Sequence, residues 1–518
     1  MLGPAARKTA WAGAPSAAIG PWAALIGLVV LLGTALAARW PRMTESLWYD
    51  EVWRTDVVLR GPMSSFALWR DVHNPLYNSL MYLWTGIFGD SEVSVRLPSL
   101  LAGMVVVIVV ARWAACRLGR GAGLITAALL LFSPPHIWFS TEAKNNMFVT
   151  MLSVLAVVGL DAALRSGRRR DGVVAGVWAA LALYVSWQAA LLLLPLWAVA
   201  GVLAVRRPGI GPDAVHARAG GATGTLAACV AACGLLVAPL LVFKAGQLST
   251  MGREYATAFD LYQLARMLAV WLPTGNAMVN SGGPGGAAWV AALGVAPLAA
   301  LAIGAGVLRR SASGVLVMAG LLGPMLALLA GTALVGAITG TAPEWFTPRN
   351  LLVCLPWFAV AVAAGVSRPS VAARVPAAAV LALGVVACVG MHTWRAGYAA
   401  AGPSRPDWRS IAARIDAVES EGRSLVISGS PLLPMEYYAR SGPELLKLPP
   451  AGVAAGAAAM RAEADGSRAV IVINNPRWDG VPRRRLGELE AALGPAERID
   501  VGFVQLYVLG PRPPAAQH

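Results

Sequence analysis

Two adjacent carboxylates lie within a cluster of aromatic residues, shortly after the first long apolar segment of the chain. Asp50 and Glu51 directly follow Trp48 and Tyr49. A carboxylate can accept the proton of an attacking hydroxyl, and a charge at the edge of the hydrocarbon is costly enough to indicate a function. We therefore interpret the pair as the acidic part of an active site. In the alternative, Asp50 caps a helix, and Glu51 supports it or lies on a solvated face.

A second group of ionisable residues follows the paired Pro134 and Pro135, where Glu142 and Lys144 are two positions apart. Glu142 could orient a substrate, or it could form a surface ion pair with Lys144 that contributes little to stability. Lysine and arginine side chains hold phosphate groups. Lys144 is therefore a candidate contact for a phosphate leaving group, as is Arg349 at the start of a later apolar segment.

The other candidate site residues also have simple structural interpretations. His73 could bind a metal, but no second histidine lies at ligand spacing, and a hydrogen bond beside Pro75 is the other interpretation. Arg96 either contacts the substrate or anchors the membrane interface. Aromatic faces can stack on a sugar, which adds Trp48 and Trp138, whereas the other interfacial tryptophans fit an aromatic belt.

The composition excludes an ordinary soluble domain. Of the 518 residues, 57% are hydrophobic and 13% are charged, whereas soluble domains contain about 25% charged residues. So few polar residues could not cover a soluble protein of this size, and we expect a polytopic membrane protein. The net charge of +15 could indicate a nucleic-acid partner. Arginines on cytoplasmic loops explain it better, so no nucleic-acid partner is expected.

Apolar segments of nearly spanning length predict about eleven transmembrane helices, because a span needs about 20 such residues. Pro134 and Pro135 are expected to break one of them, so that its outer turn begins early. The segments cover about 22–38, 97–115, 121–139, 146–164, 172–187, 189–205, 223–243, 286–308, 314–339, 349–366 and 375–392.

Basic residues assign the two sides of the membrane. One orientation, with a cytoplasmic tail at 1–21, places every arginine-rich loop inside, for example the loop with Arg309 and Arg310. The transmembrane domain then covers 22–392 in the plasma (inner) membrane. The extracytoplasmic parts are the first outer loop 39–96, then 244–285, 340–348 and everything after 393.

Residues 393–518 have a different pattern. A helix is predicted to begin around Trp408, and short β-branched runs predict buried strands. Alternating helices and strands indicate a small extracytoplasmic α/β domain. It lacks a glycine-rich phosphate loop, so no catalytic role is assigned to it. The predicted elements are strands at 424–428 and 469–473, a helix at 484–493 and one closing strand at 500–509.

Six short motifs follow one another on the predicted outer side of the membrane. Their order resembles the GT-C glycosyltransferases, and most closely the protein mannosyltransferase-like and lipid A aminoarabinose transferase-like families of bacteria. The resemblance covers nearly the whole membrane part and is densest in 46–103. The motifs are Leu-Trp-x-Asp-Glu, His-x-Pro-Leu-Tyr, Gly-Asp-Ser-Glu, Arg-Leu-Pro-Ser, Ser-x-Glu-Ala-Lys and Pro-Arg-Asn-Leu-Leu.

This resemblance implies a GT-C fold and an inverting hexosyl- or pentosyltransferase of the membrane. The donor would be a polyprenyl-phosphate sugar and the acceptor a glycan, lipid or protein. No Asp-x-Asp nucleotide-sugar motif lies near the candidate site, which also favours a lipid donor. A divalent metal is left open. The implied catalytic residues are Asp50 as base, Glu51 beside it and Glu142; the implied binding residues are Trp48, Tyr49, His73, Tyr77, Arg96, Lys144 and Arg349.

Two departures and two rival functions accompany this interpretation. The family often has His-Pro-Pro where this chain has His73-Asn74-Pro75, and Arg-Pro-Tyr where it has Lys144-Asn145-Asn146. One rival is a transporter or a flippase of lipid-linked sugars. The chain shows no repeated halves typical of transporters, and no predicted span has Asp or Glu near its centre. The other rival is a scaffold whose outer domain binds a partner.

Overall fold

The computed structural model is largely helical and ends in a small sheet. Its long helices form where the sequence is continuously apolar, because a helix satisfies its own backbone hydrogen bonds in lipid. The structure describes residues 33–59, 75–206, 221–244, 258–272, 298, 301–340, 346–367, 407–420, 424–428, 433–438, 444–447, 469–474, 495–501 and 504–509.

The helices are labelled here in chain order. A π-helical turn, Met267–Trp271, follows α11, and a 3-10 turn, Pro348–Cys354, leads into α13. The helices are α1 (Trp40–Met43), α2 (Tyr49–Leu59), α3 (Pro75–Phe88), α4 (Glu92–Leu118), α5 (Arg120–Phe132), α6 (Pro134–Ser140), α7 (Asn146–Ser166), α8 (Arg169–Val185), α9 (Gln188–Arg206), α10 (Gly221–Lys244), α11 (Leu261–Arg266), α12 (Ala312–Thr339), α13 (Leu355–Val366), α14 (Trp408–Ser420) and α15 (Leu433–Tyr438).

Within the described residues, six helices are long and apolar enough to span a membrane. They are α4, α7, α9, α10, α12 and the continuous Pro348–Val366. The predicted multi-pass helical membrane protein is therefore confirmed. The predicted segments 22–38, 286–308 and 375–392 lie wholly or mostly outside the described residues, so the number eleven stays a prediction.

The predicted proline break is also present. Helix α5 ends at Phe132, and α6 begins at Pro134 with a bend of 61° between them. Proline can start a helix because its missing N–H would have no partner there. The two helices are long and apolar enough to span a membrane only when they are taken together. As one bent pair they would make a seventh span. The bend leads directly into the segment that carries Glu142 and Lys144.

Small residues allow α8 and α10 to pack closely. Gly172 and Gly176 form a GxxxG pattern on α8. A Cβ atom added at Gly172 would collide with the carbonyl oxygen of Thr225 in α10, and one at Gly176 with that of Cys229. The two backbones are thus in direct contact at these positions.

A buried carboxylate joins three of the membrane helices. Asp161 of α7 is 3% exposed, and its Oδ2 accepts hydrogen bonds from Trp113 Nε1 (3.0 Å) and Arg117 Nη2 (2.8 Å) of α4. Ser313 of α12 donates to Oδ1. A buried charge is tolerated when it is paired and hydrogen-bonded, and Asp161 is both.

The C-terminal part contains a five-stranded sheet in the order β2-β1-β3-β5-β4. Strands β1, β2 and β3 run parallel, while β5 is antiparallel to both β3 and β4. The predicted helix at Trp408 and the strands at 424–428 and 469–473 are confirmed. The strands are β1 (Ser424–Ser428), β2 (Glu444–Lys447), β3 (Ala469–Asn474), β4 (Glu497–Val501) and β5 (Val504–Leu509).

The single closing strand predicted at 500–509 is wrong. Two strands occur there, β4 and β5, which pair with each other from Glu497 opposite Val508 to Val501 opposite Val504. The continuous β-like pattern of this segment hides the reversal, since both strands have strand-forming residues. Helix α15 and strand β2 were not predicted, and the predicted helix at 484–493 lies outside the described residues.

Contacts divide the chain into two compact units. The first comprises Met1–Pro41, Pro62–Leu83 and Arg96–Met391. The second comprises Arg42–Gly61, Trp84–Val95 and His392–His518. The second unit therefore contains the α/β domain together with two pieces of the first outer loop.

Candidate functional site

At the start of α2, the two adjacent carboxylates occupy different positions and make different contacts. Helix α2 begins at Tyr49, so Trp48 is its N-cap residue and Glu51 is its third residue. The Glu51 Oε2 atom accepts a hydrogen bond from the Trp48 backbone N–H at 3.2 Å. This is the glutamate half of a capping box. Glu51 is also completely buried, which excludes the solvated face considered from the sequence.

Asp50 occupies the second position of the same helix, in its first turn. Asp50 is therefore not the N-cap residue considered from the sequence, because the helix begins one position before it. An ionised carboxylate is favoured at a helix N-terminus by the partial positive charge of the backbone N–H groups. Asp50 is half-buried, as are Trp48 and Tyr49 before it. Its position suits a carboxylate that must be charged and accessible.

The segment before α2 is held by residues of the C-terminal part. The Leu47 N–H donates to the Tyr438 hydroxyl at 2.7 Å, and the Trp408 N–H donates to Ser46 Oγ at 3.2 Å. Burial, and to a smaller extent Glu92, raise the pKa of Tyr438, although the Leu47 N–H opposes the shift. Tyr438 is therefore a neutral phenol at all physiological pH values. No pattern in the sequence indicated Tyr438.

Glu142 and Lys144 form a buried pair in the first unit. Their exposed fractions are 2% and 5%, and Lys144 Nζ lies 3.9 Å from Glu142 Oε1. The surface ion pair considered from the sequence is thus wrong, because both side chains are inside the protein. Paired charges of this kind are costly to bury, so their presence favours a function.

Neighbouring polar groups orient this segment. Asn146 Nδ2 contacts Glu142 Oε2 at 3.4 Å, and the Ser99 hydroxyl donates to the Lys144 carbonyl at 3.2 Å. Asn145 donates to the Val185 carbonyl at 3.2 Å. The two asparagines that depart from the family pattern therefore have separate contacts, one with the candidate acid and one with α8.

Arg39 is a further residue that the sequence analysis missed. It is fully buried, and its guanidinium donates to Ser140 Oγ (3.0 Å), the Leu131 carbonyl (2.9 Å) and His136 Nδ1 (3.0 Å). These partners lie at the end of α5 and along α6. Arg39 thus holds the bend that precedes Glu142. An arginine directly after an apolar segment was the only available signal, and it resembles an ordinary flanking charge.

Tyr77 and Arg96 are both buried in the first unit. Tyr77 of α3 is 1% exposed and meets Phe148 of α7 edge to face, with 5.2 Å between ring centroids. Arg96 of α4 is 0% exposed. An arginine that anchors a membrane interface keeps its guanidinium in water, so full burial argues against that alternative for Arg96.

Arg349 differs from Lys144 in its exposure. It follows Pro348 in the first turn of the 3-10 segment and is exposed. The next residue, Asn350, accepts a hydrogen bond from Gln188 Nε2 at 2.9 Å, which ties this turn to α9. The backbone beneath Arg349 is therefore fixed while its side chain can reach a ligand.

His73 lies outside the described residues. Across the described part of the chain, no group of three or more His, Cys, Asp or Glu side chains is arranged to hold a metal ion. Among the predicted site residues, the structure brings Glu142 and Lys144 together in the first unit. Trp48, Tyr49, Asp50 and Glu51 belong to the second unit.

Comparison with known proteins shows a partial family match and a shared fold. The family model for dolichyl-phosphate-mannose-protein mannosyltransferases matches residues 72–229. The structure is similar to the crystal structure of ArnT from Cupriavidus metallidurans in the apo state, with a TM-score of 0.55 and 13% identity over 95% of this chain and 100% of that chain. The chain therefore has the GT-C fold of these glycosyltransferases.

Two further structures share this GT-C fold. ArnT from the same organism bound to undecaprenyl phosphate has a TM-score of 0.53 and 13% identity, over 94% of this chain and 100% of that chain. The Archaeoglobus fulgidus oligosaccharyltransferase tethered with an acceptor peptide has a TM-score of 0.51 and 11% identity, over 94% of this chain and 74% of that chain. No curated protein matches the sequence.

The family model covers only part of the candidate site. It includes His73, Tyr77, Arg96, Glu142 and Lys144. The segment that carries Asp50 precedes the match, and Arg349 follows it. The roles of these two side chains are therefore supported by their order in the sequence and their local structure.

Proposed function

We propose that the protein is an inverting membrane glycosyltransferase that moves a hexose or pentose from a polyprenyl-phosphate donor to an acceptor hydroxyl. The partial match to the mannosyltransferase family model and the shared GT-C fold support the transferase class, and the undecaprenyl phosphate bound to ArnT supports a lipid-phosphate donor. The observation that carries the proposal is the start of α2. There Glu51 provides the cap contact, and Asp50 remains as the half-buried carboxylate of the first turn.

The proposed reaction is a direct displacement at the anomeric carbon. The acceptor oxygen forms a bond to this carbon while the bond from the carbon to the phosphate oxygen breaks, which inverts the configuration. Asp50 takes the proton of the acceptor hydroxyl. Lys144 and Arg349 neutralise the departing polyprenyl phosphate, and Glu142 orients the sugar or the acceptor.

The proposed location is the extracytoplasmic face of the plasma (inner) membrane. The positive-inside distribution of arginine supports this orientation. A lipid-linked donor is consistent with it, because the sugar arrives with its membrane anchor. The acceptor is a hydroxyl of a glycan, lipid or protein.

Asp50→Asn tests the proposal directly. The amide keeps the size of the side chain but cannot accept a proton, so transfer should fall by about 10²–10⁴-fold. Membranes that contain the full-length variant are supplied with radiolabelled undecaprenyl-phosphate hexoses and pentoses. Label in the glycan, lipid and protein fractions is then counted.

Asp171→Asn is the matched control. Asp171 also lies in the first turn of its helix, α8, and has no assigned role in transfer, so this variant should keep transfer close to the wild-type rate and fold normally. A near-normal rate in Asp50→Asn would refute the assigned base. Movement of intact donor across the bilayer, without any covalent transfer, would instead support the flippase alternative.

A further inference from the structure

The hydroxyl of Tyr438 occupies a central position between two pieces of the first outer loop. It accepts the Leu47 N–H at 2.7 Å and donates to Glu92 Oε1 at 3.1 Å. Leu47 is fully buried and immediately precedes Trp48, the cap residue of α2. One phenol of the C-terminal part therefore contacts the chain three residues before Asp50.

Two more contacts hold the same segment. The Trp408 N–H at the start of α14 donates to Ser46 Oγ at 3.2 Å. Arg409 Nε pairs with Glu92 Oε1 at 3.2 Å, and its guanidinium also donates to the Thr44 carbonyl. The segment from Thr44 to Leu47 is thus held at Thr44, Ser46 and Leu47 by residues of α14 and α15.

Two of the residues that make these contacts, Trp408 and Tyr438, pack in a hydrophobic core. Trp408 is 3% exposed and belongs to a cluster with Ile411, Ile415, Val504 and Leu506, against which the ring of Tyr438 also packs. Helix α14 and strand β5 therefore form a rigid base. Close packing of this kind transmits a displacement instead of absorbing it.

We propose that Tyr438 is a positioning residue that sets the location of Asp50. This inference rests on the proposed function, and it gives the C-terminal α/β domain a role in the same reaction. The Tyr438 hydroxyl holds the Leu47 amide, Leu47 leads into the cap of α2, and the first turn of α2 presents Asp50. A misplaced general base loses rate because transfer depends steeply on geometry.

The ionisation state of Tyr438 is consistent with this role. Burial and Glu92 raise its pKa, so the neutral phenol can accept from Leu47 and donate to Glu92 simultaneously. A tyrosinate could not donate to the carboxylate. The contact should therefore be the same throughout the neutral pH range.

Tyr438→Phe removes the hydroxyl and keeps the ring in the core. It leaves the buried Leu47 N–H without this acceptor, so the amides of residues 46–53 should exchange with deuterium about tenfold faster. Under the transfer assay above, kcat should fall about tenfold while KM for the radiolabelled undecaprenyl-phosphate donor is unchanged. Amides of β3 should keep wild-type exchange, which shows that the domain is folded.

Tyr437→Phe is the matched control. Its hydroxyl contacts exposed Asp90 at 3.2 Å and does not bond Leu47, so exchange at 46–53 and kcat should both equal those of the wild type. The inference is overturned if Tyr438→Phe behaves like this control in either measurement. An inactive Asp50→Asn beside a fully active Tyr438→Phe would overturn the inference alone. A fully active Asp50→Asn would refute the proposed function, and the inference with it.

Discussion

Lys144 and Arg349 carry the same charge in very different surroundings. Lys144 is buried 3.9 Å from Glu142, whereas Arg349 is exposed above a fixed turn. A buried cation stabilises its partner carboxylate, and its removal leaves that charge uncompensated. An exposed cation contributes little to stability and is available to a ligand. The two residues should therefore respond differently to truncation.

Arg349→Ala should weaken donor binding and leave stability unchanged. A hydrogen bond to a charged group contributes about 1.5–3 kcal/mol, so the Kd for undecaprenyl phosphate should rise about tenfold or more. Binding of radiolabelled undecaprenyl phosphate to the purified protein measures this effect. An unchanged Kd would remove Arg349 from the donor site.

Lys144→Ala should lower stability as well as binding. Breaking a buried ion pair costs about 3–5 kcal/mol, so the thermal unfolding midpoint of the full-length protein in detergent should fall markedly. Arg349→Ala serves as the comparison, since it removes the same charge from an exposed position. Equal midpoints for the two variants would show that the Glu142–Lys144 pair has no structural role.

At the scale of elements, glycine determines how closely α8 and α10 approach. Without a hydrophobic driving force between helices in lipid, small residues and backbone contact stabilise the pair. Gly176 lies against the Cys229 carbonyl, whereas a Cβ at Gly234 of α10 would meet nothing within 4 Å. Alanine substitutions at these two glycines therefore distinguish the effect of helix propensity from the effect of helix packing.

Gly176→Ala should destabilise the membrane domain despite the higher helix propensity of alanine. Overpacking costs about 1–3 kcal/mol, while the change in propensity would contribute about 1 kcal/mol in the opposite direction. Thermal unfolding in detergent should show a lower midpoint for Gly176→Ala. Gly234→Ala should unfold at the wild-type temperature or slightly above it; the reverse order would contradict the close packing of α8 and α10.

At the scale of the whole molecule, the arginine distribution predicts which side of the membrane each loop faces. The loop at 207–220 should be cytoplasmic and the C-terminal domain extracytoplasmic. Alkaline phosphatase joined after His518 should therefore be active. Green fluorescent protein inserted in the 207–220 loop should fluoresce, and the opposite pair of results would invert the proposed topology.

Much of the membrane architecture could be predicted because hydropathy is a local property. The predicted segments at 146–164 and 189–205 match α7 and α9 within a few residues, and the break at Pro134 was expected from the geometry of proline. The single closing strand at 500–509 failed because β-propensity is similar on both sides of the reversal, so it does not show where β4 ends and β5 begins.

The candidate site also has some features that the sequence indicated and others that only the folded structure shows. The sequence by itself determined a polytopic membrane protein and the order of the motifs that resemble the GT-C families, and it indicated Asp50, Glu142 and Lys144 as candidate site residues. Only the tertiary structure decided that Glu51 caps α2 and that Glu142 and Lys144 are buried. The contact between Tyr438 and Leu47 joins residues 391 positions apart. A hydrogen bond over that separation has no periodicity or spacing in the sequence, because it exists only after the α/β core has packed.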